Sequence, residues 1–169
     1  EAITPELSGV LAKLSAREGK FAVLGNHDYW TSLSAIRRCL MDGGFTVLEN
    51  EHRVLMRRGQ PLCIAGLADP WVGRPSVEMA LLDLEESKSG PTPRIVLCHN
   101  PDYAEEIGPA PRVDLLLAGH THGGQIKIPF GPRPQLPIAH RRYAAGLVRG
   151  SHCQVYTSRG LGMVGIPVR

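Results

Sequence analysis

Apolar positions recur along the chain in two rhythms. Leu7, Val10, Leu11 and Leu14 fall at helical spacing, with Thr4 as a cap, Pro5 at the first helical position and Gly19 as a stop. Leu33, Ile36, Leu40 and Met41 mark one side of a second helix, opened by Thr31 or Ser32 and ended by Gly43-Gly44. Between them, the apolar run 21–24 is too short for a helix and reads as a buried strand. Extended segments follow at 45–48, 53–57 and 62–67, the last two joined around Gly59 as a hairpin. Ser76 caps a helix running to Leu84, and 94–98 and 113–118 are apolar strands separated by a short helix that Pro101 opens and that runs to Ile107. The stretch 130–137 is Pro-rich and irregular, and strands at 143–148 and 153–158 close the chain as a second hairpin about Gly150.

Helices alternating with buried strands give an α/β class, and no repeat or linker divides the chain, so 1–169 reads as one domain. One regularity goes further. Three apolar strands end where the chain places Asn or His: Asn26-His27 after 21–24, His99 after 94–98, and His120 and His122 after 113–118. In α/β sheets, ligands bind at the carboxyl ends of strands, so three such arrivals can converge on one site.

Composition narrows the partners. At 169 residues and 43% apolar content the chain can bury a real core, and 19 Lys and Arg against 16 Asp and Glu leave a formal charge of +3. That balance fits an anionic substrate, while the modest charge and 5% aromatic content give neither the basic stripe nor the stacking platform of a nucleic-acid binder. Arg133, Arg141, Arg142, Arg149, Arg159 and Arg169 crowd the C-terminal part, and for most of them a solvated face is the plain reading. Cys39, Cys63, Cys98 and Cys153 stand singly in apolar surroundings, as small core residues and not as a disulfide frame or a zinc knuckle, and reduced thiols point to the cytoplasm. No apolar run approaches the roughly 20 residues of a membrane helix. The chain begins inside an apparent helix start, so the expectation is that any targeting segment lies outside it.

The chemistry sits in the histidines. His120 and His122 are one residue apart, and in an extended segment both side chains would point to the same side, as two ligands of one ion or of adjacent ions. His99 and Asn26 add nitrogen and oxygen donors. Imidazole with amide and carboxylate oxygen suits manganese, iron or zinc, and the machinery implied is a pair of divalent ions that polarise a phosphoryl oxygen and generate a hydroxide nucleophile. Taken singly, His99 is a boundary histidine and Asn26-His27 a turn; the His120-Thr121-His122 pair between glycines has little packing rationale. His52, His140 and His152 lie in polar or hairpin contexts and read as structural, although His140 beside Arg141 could face a substrate. A thiol hydrolase built on Cys98 and His99 fails because strand neighbours point to opposite faces.

Gly25-Asn26-His27-Asp28, Cys98-His99-Asn100 and Gly119-His120-Thr121-His122, in this order, resemble the later motifs of the calcineurin-like metallophosphoesterases. Gly123-Gly124-Gln125 and Ser158-Arg159-Gly160-Leu161-Gly162 are similar to the bacterial YkuE/YaeI-type branch. The resemblance implies two packed mixed sheets flanked by helices and hydrolysis of a phosphodiester or pyrophosphate bond. It implies that Asn26, His99 and His120 bind one metal and His122 the other, that His27 protonates the leaving oxygen or stabilises transition-state charge, and that Asp28 orients His27. A helix or turn cap is an equal reading of Asp28. Arg141 and Arg159 are candidates to clamp phosphate. The substrate implied is a small phosphate ester or a lipid-linked nucleotide such as UDP-diacylglucosamine, with peripheral membrane association of the full-length protein. The family's early motifs, Asp-x-His and Gly-Asp, are not found ahead of Gly25, and Asp69, Asp102 and Asp114 fall in the wrong order to replace them. The expectations are therefore an N-terminally incomplete domain, an impaired isolated chain, and a sheet edge exposed to self-association. The alternative is a non-catalytic scaffold that binds a protein partner, against which the retained histidines argue.

Overall fold

A computed structural model of the chain describes residues 5–87, 90–126 and 135–163. The cap expected at Thr4, Arg133, Arg169 and most of the Pro-rich stretch 130–137 lie outside the described residues.

Helix α1 (Pro5–Ala12) precedes strand β1 (Phe21–Ala22), and helix α2 (Asn26–Asp42) follows it. Strand β2 (Thr46–Val47) pairs in parallel with β1 as a two-stranded sheet. Strands β3 (Glu51–Arg57) and β4 (Gln60–Gly66) form the expected hairpin, with Gly59 at φ 75°, where a residue without a Cβ is unstrained. After helix α3 (Val77–Ala80) come β5 (Arg94–Leu97), β6 (Leu115–Ala118), β7 (Gly146–Arg149) and β8 (Gln154–Thr157). The larger sheet has the order β3-β4-β5-β6-β8-β7. Its four central strands run parallel, and the edge strands β3 and β7 run antiparallel to their neighbours. The chain is thus a mixed α/β fold of a six-stranded and a two-stranded sheet with flanking helices.

Register explains the core. Ala65, Val96, Leu116 and Val155 lie opposite one another across four successive strands, and all four are fully buried. Val77, Ala80, Ile107 and Tyr143 belong to the same buried cluster as this row. On the side where β1 and β2 sit, Gly66 meets Val23 and the buried Leu48, which is the point of contact between the two sheets. Farther along, Leu147 on edge strand β7 is 62% exposed and Tyr156 on β8 is 46% exposed. The four cysteines are free and buried, as their apolar settings indicated.

Several elements are shorter than expected. The Ser76 hydroxyl does cap α3, accepting from the Met79 N–H at 3.1 Å, but the helix stops at Ala80 and Asp83 takes φ 59°. Tyr143 is not in a strand; it sits in a 3₁₀ turn, Arg141–Tyr143, with its hydroxyl donating to Glu105. Among the described residues no helix is long and apolar enough to cross a membrane.

A candidate metal centre at the strand ends

The site forms where β1, β5 and β6 end. Gly25 is the N-cap of α2, with extended backbone, and Asn26, His27 and Asp28 therefore occupy the first helical turn and not a free turn. The helix is interrupted at Ser32 (φ −169°, ψ 94°), one of the two residues, with Thr31, expected to open it. Asn26 is buried, and its Oδ1 lies 3.0 Å from His99 Nε2. His120 Nδ1 lies 3.1 Å from the same nitrogen. Three donor atoms from three strand ends thus meet within hydrogen-bond distance.

Backbone carbonyls set the tautomers. His120 Nε2 is 3.0 Å from the Pro137 carbonyl, which can only accept, so the proton sits on Nε2 and the Nδ1 lone pair faces His99. His122 Nδ1 donates in the same way to the Gly162 carbonyl at 3.2 Å, which leaves its Nε2 lone pair available. His122 points to Gly162 and does not join the cluster of Asn26, His99 and His120. The spacing argument also needs correction, because His120 and His122 have φ of 66° and 50°. The segment is a tight turn leading into a 3₁₀ turn, His122–Gly124, so strand parity does not aim the two rings. Positive φ on two non-glycine residues is strained, and Thr121 helps to hold it: its hydroxyl donates to the Ala144 carbonyl at 2.7 Å and accepts from the Gly123 N–H at 3.1 Å.

Burial lowers the His99 pKa to about 4, helped by the neighbouring His120 charge, and burial also lowers that of His120. Both rings are neutral at pH 7, the form that ligates metal. A lowered folded pKa means that between pH 6.5 and about 4 the unfolded chain takes up a proton that the folded chain refuses. The metal-free chain is therefore expected to lose stability, on the order of 2 kcal/mol, as pH falls through that window. Thermal melts of His99→Gln should show a flatter pH dependence; an unchanged slope would rule this account out.

The remaining predicted residues divide. His27 is exposed at the mouth, its ring 5.1 Å from that of Trp30. The Asp28 carboxylate accepts from the Gly25 N–H at 2.7 Å, the capping role, and burial lifts its pKa above the ordinary value. The stem of Arg159 lies beside Gly123, where an added Cβ would stand 2.7 Å from Arg159 Cγ. Neither Arg141 nor Arg159 lines the cleft. His52 binds the Ala80 carbonyl and His140 binds Asp102, both structural ties. Cys98 is buried with its thiol pushed up in pKa, and its Sγ faces the Asn100 carbonyl, which leaves it no catalytic posture.

Sequence reasoning missed a fourth arrival. Strand β4 runs parallel to β5, and just past its end the buried Asp69 accepts from the N–H groups of Trp71 and Val72 at 2.8 and 3.3 Å. Its charge acts on both His99 and His120. The signal is present in the sequence, since 62–67 is an apolar strand followed two residues later by an acid, which its order against the family's early motifs set aside. Asp102 and Asp114 serve the backbone instead, at Ala139 and Arg94.

The donor set can be tested against a divalent ion. Separations of 3.0 and 3.1 Å match neighbouring ligands on a six-coordinate ion with bonds of about 2.1 Å. His99 Nε2 faces the Asn26 carboxamide oxygen and the His120 lone pair, so it carries the proton in the metal-free chain. Moving that proton to Nδ1 would leave two imidazoles and a carboxamide, borderline donors suited to manganese, iron or zinc. Asn26, His99 and His120 fit one ion. Among the described residues, however, no three His, Cys, Asp or Glu side chains are grouped to hold a metal, so the set rests on two imidazoles and one carboxamide. The cleft around them has a volume of about 830 Å³.

Comparison with known proteins places the chain in a family. Residues 5–124 match the profile of the calcineurin-like phosphoesterase family. YkuE of Bacillus subtilis, an uncharacterized metallophosphoesterase, is 38% identical over 162 residues, covering 95% of this chain and 55% of the relative. The phosphodiesterase YaeI of Escherichia coli is 36% identical over 162 residues, covering 92% of this chain and 56% of the relative. A Danio rerio transmembrane protein with a metallophosphoesterase domain is 32% identical over 168 residues, covering 94% of this chain and 38% of the relative. The chain spans about half the length of the first two of these relatives. No solved structure matches it significantly. By its motifs, its sheet and its relatives, the chain belongs to the calcineurin-like phosphoesterase family.

Proposed function

We propose that the protein hydrolyses a phosphate ester, a phosphodiester or a pyrophosphate, at the cleft where β1, β5 and β6 end. The observation that carries this reading is the approach of Asn26 Oδ1 and His120 Nδ1 to His99 Nε2 at 3.0 and 3.1 Å. Asn26, His99 and His120 would hold one divalent ion, manganese, iron or zinc, and His122, through its free Nε2, would serve a second. When bound, such ions supply positive charge against the phosphoryl oxygens and a nucleophile at neutral pH. His27, exposed at the mouth, hands a proton to the leaving oxygen. Asp28 ties the first turn of α2 to Gly25 and so fixes the backbone from which His27 projects. Of the two arginines, Arg159 is the better supported phosphate contact, because its stem lies against the loop that carries His122. The similarity to a phosphodiesterase supports a small phosphodiester as substrate.

Manganese titration by calorimetry, beside hydrolysis of bis(p-nitrophenyl) phosphate, tests the reading. Saturable binding is expected, weakened at least tenfold in His120→Ala and in Asn26→Ala. Turnover should be slow, because Asn26, His99 and His120 themselves bring no carboxylate to strengthen the ion's hold. Manganese binding indifferent to His120→Ala, with no hydrolysis in either protein, would replace the enzyme reading with the scaffold, and hydrolysis that persists in the variant would move the chemistry away from this cluster.

A further inference from the structure

We infer that Trp30 and Trp71 form a stacking subsite for a planar, uncharged aromatic ring on the leaving group of the ester. The inference rests on the phosphoester reading above and adds the class of substrate. These are the chain's only two tryptophans. They are 59% and 50% exposed, and both line the cleft. An indole buries about 150–250 Å² when covered, so two half-bare indoles beside one another serve no core.

Their placement is continuous with the chemistry. Trp30 meets His27 at 5.1 Å and 64°, Trp71 meets His120 at 4.5 Å and 84°, and the indoles lie 6.4 Å apart at a tilt of 36°. A single arc of rings therefore joins the proton donor to the ligand cluster, and a leaving group bonded to phosphorus between them must cross it.

The wall is also built. Trp71 rides on a turn whose N–H groups are held by Asp69, only 1% exposed, and that loop is tied at Ala68 and Ser76 to Asn50 Oδ1. Trp30 stands on the turn of α2 that the Asp28 contact with Gly25 fixes. Ile126, Pro137 and Met163 also line the cleft, and among its described lining residues there is no Lys or Arg. An anionic ring would find no Lys or Arg partner there. The π faces of the indoles favour a flat ring over a puckered one of equal carbon count, by about tenfold in affinity.

The test compares 2-naphthylphosphonate, decahydronaphthylphosphonate and methylphosphonate on the manganese-supplemented chain, by calorimetry and by tryptophan fluorescence, which reports on Trp30 and Trp71 alone. The naphthyl ligand should bind about tenfold more tightly than its saturated counterpart and quench the emission. Trp30→Ala and Trp71→Ala should erase that preference, with the fold of each variant checked by far-ultraviolet circular dichroism. Equal affinity for the flat and puckered ligands overturns the inference, as does a preference that survives both substitutions. The phosphorus-free 2-naphthalenemethanol separates the two readings. If it quenches through Trp71 while no phosphonate responds to manganese or to His120→Ala, the phosphoester reading fails and the stacking wall stands. Should phosphonates depend on His120 while the naphthyl compounds leave the tryptophans unquenched, the wall fails and the hydrolase stands.

Discussion

Replacing Gly25 with alanine is expected to lower manganese affinity on the order of 100-fold while leaving the far-ultraviolet circular dichroism unchanged. The residue needs no unusual backbone: at φ −110° and ψ 170° alanine is equally at ease. What alanine cannot have is the space. A Cβ there would stand 2.7 Å from three atoms of the His99 ring, well inside van der Waals contact. Backbone on this turn is pinned by the Asp28 bond and by the helix it caps, so the ring must give way. His99 Nε2 is the atom that both Asn26 and His120 approach, and its displacement separates all three donors. Wild-type affinity in Gly25→Ala, measured by calorimetry, would show that His99 is not the hub of the site.

Gly66→Ala should be the most destabilising single methyl addition, at about 3 kcal/mol in urea unfolding. Gly66 ends β4 and faces the two-stranded sheet, where its missing Cβ accommodates Leu48, with Val23 Cγ1 at 2.8 Å from the position a methyl would take. Leu48 is 1% exposed and has no empty volume to enter. Overpacking here pushes the β1–β2 pair off the larger sheet, and β1 feeds Gly25 and Asn26, so stability and metal affinity should fall together. A midpoint within 0.5 kcal/mol of wild type, on the scale of an ordinary surface change, would mean that the two sheets are not in tight contact.

Much of this was legible in the residues because the signals were local and redundant. Gly59 between two apolar runs made the β3–β4 hairpin readable, and the strands ending at Asn26, His99 and His120 disclosed the cluster before any coordinates. Where reading failed, tertiary contacts had overridden a local rule. Strand parity said that His120 and His122 point alike, but the chain turns through two left-handed residues there, held by Thr121 to Ala144, 23 residues away. Ser76 promised a helix to Leu84, yet the helix ends at Ala80 and the positive φ of Asp83 prevents its continuation. Tyr143 carries strand propensity, and its hydrogen bond to Glu105 holds it in a turn instead. Charge singles out Arg141 and Arg159 but says nothing of distance; neither lines the cleft, and of the two the Arg159 stem lies against the loop that carries His122. Trp71 went unnoticed because its importance lies in a neighbour, His120, that is 49 positions distant in a sequence that gives no hint of the pairing.

Asn50 holds a left-handed backbone at φ 54° and reaches across to the segment that carries Asp69 and Trp71. Its Oδ1 accepts from Ala68 and Ser76, and its Nδ2 donates to the Arg74 carbonyl at 2.7 Å. One side chain thus staples both ends of a nine-residue span (68 to 76) that would otherwise sample many shapes. The disorder of that span is surrendered once, during folding, and not again at each encounter with a ligand. A rigid rim of this kind makes departure, and not arrival, the step that sorts one guest from another.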